Sequence, residues 1–100
     1  MKIILEGYIK VPLDELETIK THLDEHIQNT LNEDGCLEFI VEQDEVDECL
    51  FNVYEKFKDS DAFNSHQERV KNSHWGSITK NVKRVYKKYT TNNWKKVYYQ

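Results

Sequence analysis

No phosphate-binding glycine loop, zinc knuckle or nucleophile elbow occurs in these 100 residues. Chemistry is therefore expected from a few polar side chains in an apolar pocket, with no cofactor and no metal. Long apolar runs are missing as well: none approaches the ~20 residues that a membrane span needs. The N-terminal MKIILEGYIK offers only a short apolar patch before Glu6, too little for a secretory leader. The expectation is a soluble cytoplasmic chain with no membrane partner. Cysteine is scarce: Cys36 and Cys49 are too few for a disulfide scaffold in a chain without an export signal. Both read as reduced, structural thiols, with Cys36 expected opposite a residue near Glu55 rather than opposite Cys49. Acid is absent after Glu68. Residues 1–68 hold five basic residues against all 18 acidic ones, a balance of −13, whereas 69–100 carry nine basic residues and no acid, +9. The net charge of −4 would repel a polyanion, so no nucleic acid partner is expected. The basic C-terminal strand is instead expected beside acidic strands, in the same subunit or in a partner.

What remains is enough for one domain, with 38% apolar residues and a mean hydropathy of −0.82. A core this thin is often completed by a subunit interface. Ile3, Leu5, Gly7, Ile9 and Val11 alternate with Glu6, Tyr8 and Lys10, which predicts a strand with one covered face, ended by Pro12. Asp14 and Glu17 have capping-box spacing. Leu16, Ile19, Leu23, Ile27 and Leu31 then predict an amphipathic helix of nearly five turns, stopped at Asn32-Glu33-Asp34-Gly35 with Gly35 free to turn left-handed. A second strand runs through Leu37, Phe39 and Val41. After an acidic turn, a third has Phe51, Val53, Glu55 and Phe57 on one face and Leu50, Asn52, Tyr54 and Lys56 on the other. Asp59 or Ser60 caps a second helix striped with Ala62, Phe63, His66 and Val70. Asn72-Ser73 interrupts it, Trp75, Ile78 and Val82 suggest a further turn or two, and Val82 to Thr91 reads as a fourth strand. Asn92-Asn93 is a turn, and Trp94 to Tyr99 a fifth strand or a tail over a neighbour.

The order βαββαβ, with both helices on one face of an antiparallel sheet, is the ferredoxin-like α+β plan. The expected domain spans 1–91, with 92–100 as an aromatic, basic extension. Tyr8, Ile40 and Tyr54 on the uncovered sheet face predict a second sheet against it, hence a homodimer.

Glu6-Gly7, Gly35-Cys36-Leu37 with Phe39, the run Phe51-Asn52-Val53-Tyr54-Glu55-Lys56-Phe57, then Asp59, Ala62-Phe63 and His66-Gln67 fall in an order and spacing that resemble the antibiotic biosynthesis monooxygenase family. The likeness covers roughly residues 3–90 and includes small quinol monooxygenase-like proteins. It implies a dimeric α+β barrel that oxygenates a quinol, phenol or polyketide-like aromatic with dioxygen, using no flavin, haem or metal. A dry pocket, a proton acceptor and donors that steady an anion would suffice. Function varies in this fold, and haem degradation and isomerisation also occur. Haem-degrading relatives use an Asn near the end of the first strand, a Trp and a His; here Gly7 stands where that Asn is expected and His66 near the Trp position, which argues against haem cleavage. A dimeric module that binds an aromatic ligand without turnover is the other reading.

His66 matches the helix histidine of the family, and faces the sheet one turn after Phe63; it reads as base or as a core histidine bonded to a strand. Glu55, between Val53 and Phe57, either pairs with His66 or bridges to a cation in a dimer. These two are the candidate catalytic residues. Candidate substrate-binding residues are Asn52, Tyr54, His74, Trp75 and Tyr86. Asn52 and Tyr54 share the face opposite Glu55, so they serve a pocket only if theirs is the pocket face, and Tyr86 carries the same ambiguity. His74 lies eight residues beyond His66, not the four that suits two helical metal ligands, and reads as surface or pocket. Trp75 reads as a pocket wall or as the seal of a helix end.

Overall fold

The computed structural model describes residues 1–92; the aromatic segment Trp94 to Tyr99 lies outside the described residues. Strand β1 (Lys2–Lys10) ends before Pro12, which has no N–H to continue a ladder. A 3-10 turn, Leu13–Glu15, leads into α1 (Leu16–Leu31). The expected capping box does not form, because Asp14 sits inside that turn and Glu15 at the helix cap makes no side-chain bond. Strands β2 (Cys36–Gln43) and β3 (Leu50–Phe57) follow, then α2 (Ser60–Lys71), α3 (His74–Ile78) and β4 (Lys83–Thr91). Asp59 caps α2 by accepting the Ala62 N–H at 2.8 Å, and Ser73 caps α3 through the Gly76 N–H.

All strand pairs are antiparallel, in the order β2-β3-β1-β4, the ferredoxin-like arrangement. Register places Ile3, Leu5, Gly7 and Ile9 of β1, and Phe51, Val53, Glu55 and Phe57 of β3, on one face with Phe39 and Val41 of β2 and Arg84, Tyr86 and Lys88 of β4. That is the face the helices cover. Leu16 and Ile19 of α1 pack with Ile9, Phe51, Val53 and Trp75 in one apolar cluster, and Phe63 of α2 packs with Ile3, Leu5 and Phe57 in a second. Complete burial of a ring such as Phe57 contributes about 1.5–3 kcal/mol.

Several expectations are corrected. Cys36 does pair near Glu55, with Phe57, but β2 carries an unforeseen bulge between Cys36 and Glu38 that leaves Leu37 outside the ladder and 45% exposed. The buried stripe of α1 is Leu16, Ile19, His26 and Thr30, with Leu31 45% exposed. At about 100° per residue, Leu31 sits roughly 100° from the centre of that stripe. Gly35 is not left-handed; its lack of a side chain is needed because a Cβ there would lie 2.1 Å from Ala62 Cβ. Gly7 is likewise demanded by close approach, since a Cβ would lie 2.0 Å from the Val85 carbonyl of β4. Finally, within the chain β4 does not lie beside acidic strands: its neighbour is β1, where its only acidic counterpart is Glu6, opposite Lys87, and the acid-rich β2 occupies the far edge of the sheet. Both cysteines are free thiols, and burial pushes Cys36 up to about 11.

Candidate active site

Alternation along β3 turns Glu55 toward the helices between two apolar side chains, and the register sets it opposite Leu5 on one side and Phe39 on the other. The result is a carboxylate in an apolar layer. Glu55 is 5% exposed, and its Oε1 has no hydrogen-bond partner among the described residues. One turn of α2 beyond Phe63, His66 projects into the same layer and is 3% exposed, its ring 4.8 Å from that of Phe57. His66 Nε2 lies 3.6 Å from Glu55 Oε1, just beyond hydrogen-bond length. On the other side, Nδ1 lies 3.0 Å from each carboxylate oxygen of Glu33. Glu33 also accepts from Arg69 Nε at 2.5 Å, and Arg69 Nη2 donates to Thr30 Oγ1 at 3.0 Å. A carboxylate at the end of α1 thus grips two side chains of α2.

Burial pushes the Glu55 carboxyl up to about 7, helped by the negative charge of Glu33 and opposed by Arg84. Burial also holds the His66 ring below its ordinary value; the bond and charge of Glu33 oppose this, and Arg69 reinforces it. The His66–Glu33 contact is therefore a hydrogen bond from neutral imidazole, with Nδ1–H donating as its partner dictates. That tautomer leaves the Nε2 lone pair aimed at Glu55.

Glu55 lines a small hollow of about 40 Å³ together with Ile9, His26, Phe39, Trp75, Arg84 and Tyr86. Such a volume takes one or two waters, far less than an aromatic ring occupies. His26 stacks on Trp75 with ring centres 4.5 Å apart and planes 6° from parallel. Its Nδ1 is buried without a partner among the described residues. Burial first, then the neighbouring His66, Arg69 and Arg84, lowers its pKa to about 3, so this ring is neutral. Tyr86 is pushed up to about 12 by burial and by Glu55, with Arg84 opposing, so its hydroxyl is a donor at neutral pH. Arg84 is held by the Thr79 side chain at 2.8 Å and by the carbonyls of Thr79 and Val82.

The structure thus brings together Glu55, His66, Trp75 and Tyr86. His74 stands apart, edge-on to His22 at 4.8 Å, on a second small hollow of about 30 Å³ beside α3. Asn52 and Tyr54 lie on the opposite face of the sheet, with Asn52 exposed. Glu33, His26 and Arg84 were not singled out in the sequence. The spacing 16, 19, 23, 26, 30 contains the signal for His26, but Glu33 lies in a turn with no periodicity to read, and Arg84 becomes visible only once β4 is paired with β1. His22 and His26 do stand four apart on α1, yet the described residues contain no group of three His, Cys, Asp or Glu arranged to hold a metal.

A protein from Deinococcus radiodurans, provisionally assigned as an antibiotic biosynthesis monooxygenase, superposes with a TM-score of 0.77 at 20% identity, over 98% of this chain and 99% of that one. A provisionally assigned antibiotic biosynthesis monooxygenase from Nitrosomonas europaea gives 0.73 at 20% identity, over 88% and 86%. A conserved protein of unknown function from Bacteroides thetaiotaomicron, described as a possible oxidoreductase, gives 0.75 at 16% identity, over 88% and 95%. At these identities the likeness establishes the fold alone. No curated protein matches the chain significantly. Among the described residues no helix is long and apolar enough to cross a membrane. Residues 2–75, about three quarters of the chain, match the antibiotic biosynthesis monooxygenase family profile; the chain belongs to that family.

Proposed function

We propose that this chain is a cofactor-independent monooxygenase of a small electron-rich phenol, quinol or polyketide-like aromatic, with Glu55 as the base. The carrying observation is a carboxylate with a bare oxygen in an aromatic-walled hollow, poised to ionise near pH 7. Glu55 removes a hydroxyl proton, and the resulting anion passes one electron to dioxygen. The radical pair then joins through a carbon–oxygen bond. Protonation and cleavage of the peroxide leave one oxygen on the ring and release the other as water. Tyr86 and Arg84 steady the anion, and Trp75 walls the ring. Because the hollow is smaller than a ring, this reading needs it to widen on binding, and α3, the five-residue helix that carries Trp75, is the shortest element in its wall.

The test is oxygen uptake with reduced menadione, corrected for autoxidation. The wild type exceeds the background, and the excess grows as pH rises through about 7, where Glu55 ionises. Glu55→Gln lowers it by roughly a hundredfold or more, the usual worth of a positioned base. Equal excess rates in both proteins would remove Glu55 from this role. The small size of the hollow favours a second reading, a module that binds an aromatic without turnover; it predicts ligand-dependent thermal stabilisation with no oxygen consumed.

A second copy on the uncovered sheet face is part of the proposal. Ile40 and Val85 are 39% and 38% exposed there, on the same face as Tyr8 and Tyr54. Sedimentation then gives twice the chain mass, and Ile40→Lys with Val85→Lys gives the single mass. A wild type that sediments as a monomer at high concentration removes the dimer.

A further inference from the structure

We propose that Glu33, His66 and Glu55 form a proton path that crosses the helix layer, joining the small hollow at Glu55 to a groove on the molecular surface. Its catalytic use rests on the function proposed above; its geometry does not. Glu55 lines the hollow and Glu33 lines the groove, a volume of about 530 Å³ that also contacts Lys58, Asp59 and Arg69. His66 stands between them with one ring nitrogen toward each carboxylate, 3.6 Å on the Glu55 side and 3.0 Å on the Glu33 side. A side-chain adjustment of about half an ångström closes the longer step to hydrogen-bond length.

The transfer balances without a co-reactant. Glu55, having taken a proton from substrate, donates it to Nε2. The ring releases its Nδ1 proton to Glu33, which exchanges it with water in the groove. The imidazole is left in its other tautomer, with Nε2–H facing the hollow. The later protonation of the bound peroxide draws a proton back from Nε2–H through Glu55, while Nδ1 recovers one from Glu33. A full turnover therefore resets the ring without rotating it, which tight packing against Phe57 and Phe39 would resist.

The surrounding charges suit a path that carries a proton without trapping it. Arg69 lies on the Glu33 side of α2 and Arg84 on the Glu55 side, from β4; Lys58 borders the groove. Burial and Arg69 disfavour a lasting imidazolium at His66 against the opposing bond and charge of Glu33, and the neutral His26 from α1 and thiol of Cys36 from β2 offer no competing acceptor. Tyr86 remains a hydroxyl throughout the neutral range, and Lys88 of β4 is engaged over the Phe63 ring.

The experiment is a rapid pH jump on the full chain, following the infrared carboxyl band of Glu55, identified by its loss in Glu55→Gln. Glu33→Gln and His66→Gln are compared with the wild type after circular dichroism confirms their fold. Gln at 33 keeps an oxygen for Arg69 Nε and His66 Nδ1–H, so the grip between α1 and α2 is retained. The path predicts at least tenfold slower protonation of Glu55 in both variants, and a lower midpoint in Glu33→Gln because a negative charge beside Glu55 has gone. Wild-type rates in both variants overturn it. Slowing of the infrared signal without any oxygen uptake supports the path while removing the oxygenase; normal uptake with unslowed protonation removes the path and leaves Glu55 as the base.

Discussion

His26 is buried against another imidazole and near two guanidinium groups, so folding holds it neutral down to a pH of about 3. Glu55 is displaced the opposite way, its folded value near 7 standing above an unfolded value near 4.5. The signs oppose each other. Below pH 6.5 the unfolded chain protonates His26 and the folded chain does not, so stability falls as pH falls. Between about 4.5 and 7 the folded chain keeps a proton on Glu55 that the unfolded chain has lost, so stability rises as pH falls. Each full proton difference is worth ~1.4 kcal/mol per pH unit. His66, also held below its ordinary value, adds to the effect of His26. Urea unfolding from pH 6.5 to 4.5 should therefore show a shallow loss in the wild type and a steep one in Glu55→Gln. His26→Phe should be flatter than the wild type or reversed. A Glu55→Gln slope no steeper than wild type contradicts this assignment of the buried carboxyl.

At the scale of elements, β3 and α2 were legible because their side chains obey a clean period. Alternation put Glu55 on the face of Val53 and Phe57, and spacings of three and four put His66 beneath Phe63. Asp59 was readable as a cap because its position before an apolar stripe has a chemical meaning. The second half of α1 was not. Ile27 and Leu31 are the apolar choices, but the helix axis carries the covered stripe through His26 and Thr30, and a polar residue on that stripe gives no hydrophobic signal. Thr30 tolerates burial by donating to the His26 carbonyl and accepting from Arg69. Turns were misread for a related reason: Gly35 looks like a conformational device, and only the tertiary approach of Ala62 shows that it is a packing one. Gly35→Ala should cost about 1–3 kcal/mol through overpacking. Ala62→Gly added to it should restore part of that loss by removing the opposing methyl group, as a double-mutant cycle by urea unfolding would show. Additive losses would mean that the two sites do not meet.

For the whole molecule, the element order fixed the ferredoxin-like plan, because βαββαβ with short connections leaves few ways to cover one sheet face. The candidate site was half legible. Glu55, His66, Trp75 and Tyr86 converge, whereas Asn52 and Tyr54 fall on the other face, and Glu33 joins from a turn no pattern marks. The sheet order also separates charge, with lysines along the β4 edge and acids along the β2 edge, an arrangement that discourages edge pairing at β4. What unites these features is one enclosed carboxylate on a rigid sheet, reached through a helix histidine. The most direct test of the chemistry assigned to it is the fate of isotopically labelled dioxygen during turnover of reduced menadione, read by mass spectrometry of the product. The account predicts one labelled oxygen retained on the ring in the wild type and about a hundredfold slower formation of that labelled product in Glu55→Gln; a wild-type product without label would contradict it.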